Sequence, residues 1–241
     1  MRRIPPSSPR LRVALLTAVL AMAALAVAAV SAVPAVSAAS AQQRHPVSGR
    51  VIAQVMGYEG AAWLERPERE DEEQPSKAIA ALDIKPGQVV ADVGAGSGYY
   101  TVRLAKRVGP TGRVFATDIQ QEMLELLKKR LARERLNNVE LVLATDVDPR
   151  LPAGQFDLIL MVDVYHELAR PQDVLRRLRT ALKPDGRLVL VEFRKESAWV
   201  PIREEHKMSV EGARMELEAE GYRFDRVIDV LPWQHILVFR Q

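Results

Sequence analysis

Seven residues, Asp92-Val93-Gly94-Ala95-Gly96-Ser97-Gly98, constrain this chain more than any other stretch. An apolar run, Gln88 to Val93, leads into them, and a helical pattern, Tyr100 to Val108, follows and stops at Gly109-Pro110. A strand, a Gly-rich turn and a helix in that order aim the free N–H groups of the first helical turn at a ligand. The glycines let the backbone come close and adopt positive φ. Two details narrow the ligand. The spacing is G-x-G-x-G, not the G-x-G-x-x-G of the dinucleotide fingerprint, and no Gly-Lys-Ser/Thr follows as in a Walker loop. Asp92 stands two residues before the first Gly, where a carboxylate attracts a cation and repels a pyrophosphate.

After this loop, strand and helix patterns alternate. Strands are predicted at Arg113–Thr117, Val139–Leu143, Phe156–Val162, Arg187–Phe193, Phe224–Leu231 and His235–Phe239. Helices are predicted at Gln121–Arg135, Pro171–Leu182 and Met208–Glu220, with Pro184-Asp185-Gly186 as a turn. Alternation of this kind implies an α/β fold, a mostly parallel sheet with helices on both faces and a ligand at the carboxyl ends of the strands. Asp118 ends the second strand, a position suited to ribose hydroxyls that is shared by NAD sites. Asp146 follows the third, where it would either accept the adenine amino group or cap a turn. The cation-favouring loop and the acids after three successive strands select S-adenosylmethionine (SAM), which carries an ammonium and a sulfonium, over NAD.

The first 41 residues read differently. Arg2, Arg3, Arg10 and Arg12 precede an apolar run from Val13 to Val30, and Ala39-Ser40-Ala41 is an A-x-A site before Gln42. That order is a secretory signal. The run is also long enough to span a bilayer, so residues 11–33 would anchor the chain if the leader is retained. The expected location is the periplasm or the inner membrane, or the cytoplasm if translation starts later. Without those four arginines, basic and acidic side chains nearly balance, so the pI of 9.2 gives no support to nucleic-acid binding. The absence of cysteine excludes disulfides, thiolate metal sites and a Cys nucleophile. The expected organisation is a signal or anchor at 1–41, a lead-in at 42–76 and the α/β domain at 77–241, with no metal assigned.

From Ile79 to the C-terminus the chain resembles the class I SAM-dependent methyltransferases, including the small-molecule, ubiquinone-biosynthesis-like group. The resemblance rests on Val89–Gly98, Val114–Asp118, Ala144-Thr145-Asp146, Phe156–Ile159 and Leu182-Lys183-Pro184-Asp185-Gly186. It implies a Rossmann-like seven-stranded sheet whose last strand is antiparallel, and a lid formed by the lead-in around Tyr58 and Trp63. It implies cofactor contacts at Asp92, Gly94, Gly96, Asp118 and Asp146; Ala95, Gly98, Ile119, Val147 and Asp163 complete the expected SAM-binding set. The Asn/Asp-Pro-Pro-aromatic motif of amine N-methyltransferases is replaced by Val162-Asp163-Val164-Tyr165-His166-Glu167-Leu168, which points to oxygen or carbon of a small-molecule acceptor.

Methyl transfer is an in-line displacement, and a base is needed only when the acceptor must lose a proton. His166, just past the fourth strand, is the candidate base, with Glu167 to orient it or cap the loop; a structural His is the competing reading. Tyr165 would line the pocket or the core. A second polar cluster, Glu192-Phe193-Arg194 and Pro201 to Lys207, offers His206 as a proton shuttle and Arg194 and Lys207 for an acidic acceptor. The run Arg66 to Glu73 reads as a solvated helix face, His235 as structural, and His45 as irrelevant to the site. Two other functions stay open: an exported SAM- or nucleoside-binding module without turnover, and an NAD-linked oxidoreductase.

Overall fold

Leu158 and Leu160 pack on one face of the central strand, Phe156–Val162, while Ile159 and Met161 pack on the other. Side chains alternate across a strand, so a strand covered on both faces must be apolar at nearly every position. The computed structural model containing this strand describes residues 42–241. The leader at 1–41, including the stretch 11–33, lies outside the described residues. Among the described residues no helix is long and apolar enough to cross a membrane.

The strands are β1 (Val89–Val93), β2 (Arg113–Asp118), β3 (Val139–Leu143), β4 (Phe156–Val162), β5 (Leu182–Arg194), β6 (Lys207–Met208), β7 (Arg223–Ile228) and β8 (Gln234–Arg240). They form one sheet in the order β3-β2-β1-β4-β5-β8-β7, with β6 paired to the end of β5. The first five pair in parallel, and β8 runs antiparallel to both β5 and β7. The Rossmann-like architecture and antiparallel last strand therefore match expectation, with β6 as an eighth strand. Among the described residues seven α-helices accompany them: α1 (Ala61–Leu64), α2 (Arg69–Glu72), α3 (Pro75–Ala81), α4 (Tyr99–Val108), α5 (Gln121–Glu134), α6 (Pro171–Ala181) and α7 (Val210–Ala219). α4 lies with α3 over one face of the sheet, and α6 and α7 lie over the other.

Three local expectations are corrected. Pro184-Asp185-Gly186 is not a separate turn but lies inside β5. Phe156 pairs with Leu182 and Leu158 with Arg187, so the residues between bulge out of the ladder. Gly186 is needed there, because a Cβ would stand 2.6 Å from the Phe156 carbonyl oxygen. Met208 belongs to β6, and the helix after it starts at Val210, where Ser209 Oγ accepts the Gly212 N–H at 3.0 Å. The charged run Arg66 to Glu73 is not a solvated face: Arg69 and Glu73 are buried, paired at 2.7 Å, and Arg69 stacks on the Tyr99 ring.

Candidate functional site

The parallel order β3-β2-β1-β4 brings the carboxyl ends of four strands to one edge. Each expected cofactor-binding residue follows one of those ends: Asp92 to Gly98 at β1, Asp118 and Ile119 at β2, Asp146 and Val147 after β3, Asp163 after β4. The loop after β1 is tied to β2 by Gly94 N–H and Ala95 N–H, which both donate to the Thr117 carbonyl at 2.8 and 2.9 Å. Gly96 N–H donates to Asp118 Oδ2 at 2.8 Å, and Gln120 N–H donates to Oδ1 at 2.9 Å. Asp118 thus shapes the loop directly, and burial holds its carboxyl above the usual range.

All three glycines of the loop have positive φ. A Cβ at Gly94 would collide with Val164, at Gly96 with Leu64 and at Gly98 with Leu127. The Gly98 contact is the tightest, 2.1 Å from Leu127 Cδ1, and Leu127 is fully buried. Gly98→Ala therefore adds left-handed strain to overpacking and should cost about 2–4 kcal/mol of stability. Urea unfolding checks this, and an unchanged midpoint would refute the packing account.

Asp92 is buried and accepts the Thr101 hydroxyl at 2.6 Å. Burial first, then the nearby Asp118, raises its pKa to about 6, against the opposing pull of Thr101 and Arg69. An acid held above its unfolded value costs stability when ionised. The loss begins above the ordinary carboxylate pKa and is complete once pH exceeds about 6. At pH 7.5 Asp92→Asn should thus stabilise the ligand-free protein, by on the order of 2 kcal/mol. Thermal melts at pH 7.5 check the sign, and a lower Tm for the variant would contradict it.

The remaining members differ in exposure. Asp146 and Ile119 are exposed, Val147 is half-buried, and among the described residues Asp146 makes no side-chain hydrogen bond. Thr145, rather than Asp146, closes the local turn by accepting the Asp148 N–H at 3.0 Å. Asp163 is half-buried, and its Oδ1 has no hydrogen-bond partner among the described residues. Its Oδ2 accepts Gln234 Nε2–H at 2.6 Å, and burial, Glu73 and Glu192 push the Asp163 pKa well up.

The lead-in crosses this edge. Tyr58 N–H donates to Gln120 Oε1 at 2.9 Å, Gln120 Nε2–H donates to the Met56 carbonyl at 3.0 Å, and Ser97 bonds Glu65. His45 is not idle: it is buried, with Nε2 3.3 Å from Glu216 Oε2 and near the Tyr165 hydroxyl. Tyr165 belongs to the core.

Beside the loop, Val164 leads into the short turn Tyr165–Glu167. His166 is buried, and its Nδ1 lies 2.6 Å from Glu192 Oε2. Glu192 also accepts the Tyr165 N–H at 2.9 Å. A carboxylate only accepts, so Nδ1 donates to Glu192, and in the neutral ring Nε2 is the acceptor nitrogen. That Nε2 faces His206 Nδ1 at 3.0 Å. Glu167 Oε1 lies 3.9 and 3.8 Å from those two nitrogens, and burial raises the Glu167 pKa to about 7. Glu192 is the partner that sequence reasoning missed; its apolar strand context, Val189-Leu190-Val191-Glu192-Phe193, was the available signal. Of the two cations expected to meet an acidic acceptor, Arg194 is paired with Asp229 and Lys207 with Glu204. His235 sits on β8 opposite Glu192, buried as expected. A cleft of 840 Å³ lined by Gly109, Gly112, Arg135 and Asn138 opens at the amino ends of β2 and β3, on the far edge from these residues.

Residues 91–188 match a methyltransferase domain. The chain is 30% identical over 152 residues to a ubiquinone/menaquinone biosynthesis C-methyltransferase of Burkholderia cenocepacia (strain HI2424), covering 61% of each protein. It thus spans about three-fifths of the length of the curated relatives it matches. It superposes on a SAM-dependent methyltransferase from Aquifex aeolicus with a TM-score of 0.72 and 29% identity, covering 77% of this chain and 98% of that one. It also superposes on the [4+2]-cyclase SpnF with a TM-score of 0.60 and 16% identity, covering 70% and 80%. The fold alone does not choose the reaction. S-adenosylmethionine is the cofactor that this methyltransferase domain implies, and the positive-φ glycine cradle ringed by carboxylates fits a cationic ligand.

Proposed function

We propose that this chain, with its methyltransferase domain on a Rossmann-like sheet, is a SAM-dependent methyltransferase acting on oxygen or carbon of a small-molecule acceptor that loses a proton. The carrying observation is the His166–Glu192 pair beside the glycine cradle, with Nδ1 on the carboxylate and Nε2 on the opposite side of the ring. When bound, the cofactor supplies an electrophilic methyl group. Asp92 would hold its cationic end, Gly94, Ala95, Gly96 and Gly98 would admit it closely, Asp118 would take the ribose hydroxyls, and Asp146 with Ile119 and Val147 would meet the adenine. Met56 to Glu65 would form the lid that excludes water. Asp163 would support the site from below through Gln234 and Arg69.

His166 would take the acceptor's proton at Nε2, the developing positive charge on the imidazole being stabilised by Glu192. His206, less buried than His166, would pass that proton outward. A screen of phenolic, enolic and carbon-acid acceptors with methyl-labelled SAM tests the reading; label transfer to amines alone would overturn it. A module that binds SAM without turnover is the second reading, favoured by the leader, since SAM is made in the cytosol. Export is part of the proposal: N-terminal sequencing of the fractionated protein should find Gln42 first if the leader is cleaved.

A further inference from the structure

We propose that His166, His206 and Glu167 form a binding site for a divalent transition-metal ion of the zinc type. Two imidazole nitrogens on one such ion, each about 2.0–2.1 Å from it at 90–109°, stand roughly 2.9–3.4 Å apart. His166 Nε2 and His206 Nδ1 are 3.0 Å apart, and their rings are nearly perpendicular at 85°. Glu167 Oε1 lies 3.9 and 3.8 Å from the two nitrogens, so a shift of about half an ångström completes a tripod of two His and one carboxylate. Only side-chain motion is required, because Glu167 is adjacent to His166 in the same turn.

The shell behind the tripod is already built. A metal-bound His is normally fixed by a carboxylate on its other ring nitrogen. Glu192 occupies that place on His166 at 2.6 Å and is itself fully buried and steadied by the Tyr165 N–H. Elsewhere among the described residues, His45 and His235 have no comparable pairing of two imidazoles. Imidazole donors select zinc, cobalt, nickel or ferrous ions over magnesium and calcium, which prefer oxygen. His206 is partly exposed, which leaves an entry path and open coordination positions.

The ion takes the lone pair on His166 Nε2 that proton abstraction would use, so a filled site and a free base are alternative states. That consequence rests on the methyl-transfer reading; ion binding does not. The test uses the full chain stripped with a chelator and titrated with Co²⁺, following visible absorption, then with Zn²⁺ and Mg²⁺ by calorimetry. The expected result is one Co²⁺ per chain with the strong absorption of a low-coordinate site, displacement by Zn²⁺ and indifference to Mg²⁺. His206→Ala, at a partly exposed position that the fold tolerates, should weaken Zn²⁺ at least tenfold. Glu192→Gln keeps all three ligands and should weaken it about 10–100-fold through orientation alone. Wild-type protein that leaves Co²⁺ with the spectrum of the hydrated ion, or a His206→Ala variant that binds Zn²⁺ equally well, would overturn the site. No readout uses SAM, so failure here leaves methyl transfer untouched, and failure of SAM binding leaves the ion site untouched.

Discussion

Replacing His166 by Ala should lower methyl transfer by about 10²–10⁴-fold, the range for removing a positioned general base, while SAM affinity stays at the wild-type level. The split follows from position. His166 follows β4 and pairs with Glu192 on β5, whereas the cofactor residues proposed here are held by β1, β2 and β3. Glu192→Gln should reproduce part of the loss, because a neutral amide no longer stabilises the imidazolium that forms. Comparing kcat with SAM affinity for the two variants checks this; a His166→Ala enzyme with wild-type kcat would remove His166 as the base. The fall in kcat must also appear in metal-free buffer, which separates the base from the ion site.

Asp118→Ala should weaken SAM binding by about 10–100-fold, or roughly 1.5–3 kcal/mol, the scale of lost hydrogen bonds to a charged group. The structure gives this carboxylate two duties. It would hold the ribose, and it already accepts Gly96 N–H and Gln120 N–H, so its loss also loosens the cradle and the anchor point of Tyr58. Asp118→Asn is the companion that removes the charge and keeps one of the two accepted bonds, its Nδ2 opposing the other N–H. Affinity as low with Asn as with Ala would identify the charged contact with ligand as the larger share. Calorimetric titration of both variants measures the affinities; unchanged affinity in Asp118→Ala would contradict the ribose assignment.

The elements that could be read in advance are those whose signal is local. The loop from Asp92 to Gly98 declares itself by spacing, and the buried strand β4 by an unbroken apolar run. The run Arg66 to Glu73 is harder to read because its interactions are non-local. Arg69 and Glu73 look like a solvated pair until Tyr99 and Tyr100, on another helix, supply the aromatic surface that buries them. The same holds for His45, whose partners Tyr165 and Glu216 are distant in sequence. Within the site, His166 could be placed at a strand end. Its proposed role rests on Glu192, 26 residues on, and on His206, 40 residues on, which the pairing of β4 with β5 and the return through β6 bring together. Asp163 follows the end of β4, and its half-buried carboxyl meets Gln234 from β8, a partner distant in sequence.

The central claim is that the carboxylate-ringed glycine cradle binds a cationic nucleoside cofactor. Titration calorimetry of the full chain at pH 7.5 with SAM, S-adenosylhomocysteine and NAD tests it most directly. The expected result is one SAM per chain, competition by S-adenosylhomocysteine, no heat from NAD, and a marked loss of affinity in Asp118→Ala. Absence of SAM binding at millimolar ligand, or NAD binding tighter than SAM, would contradict it.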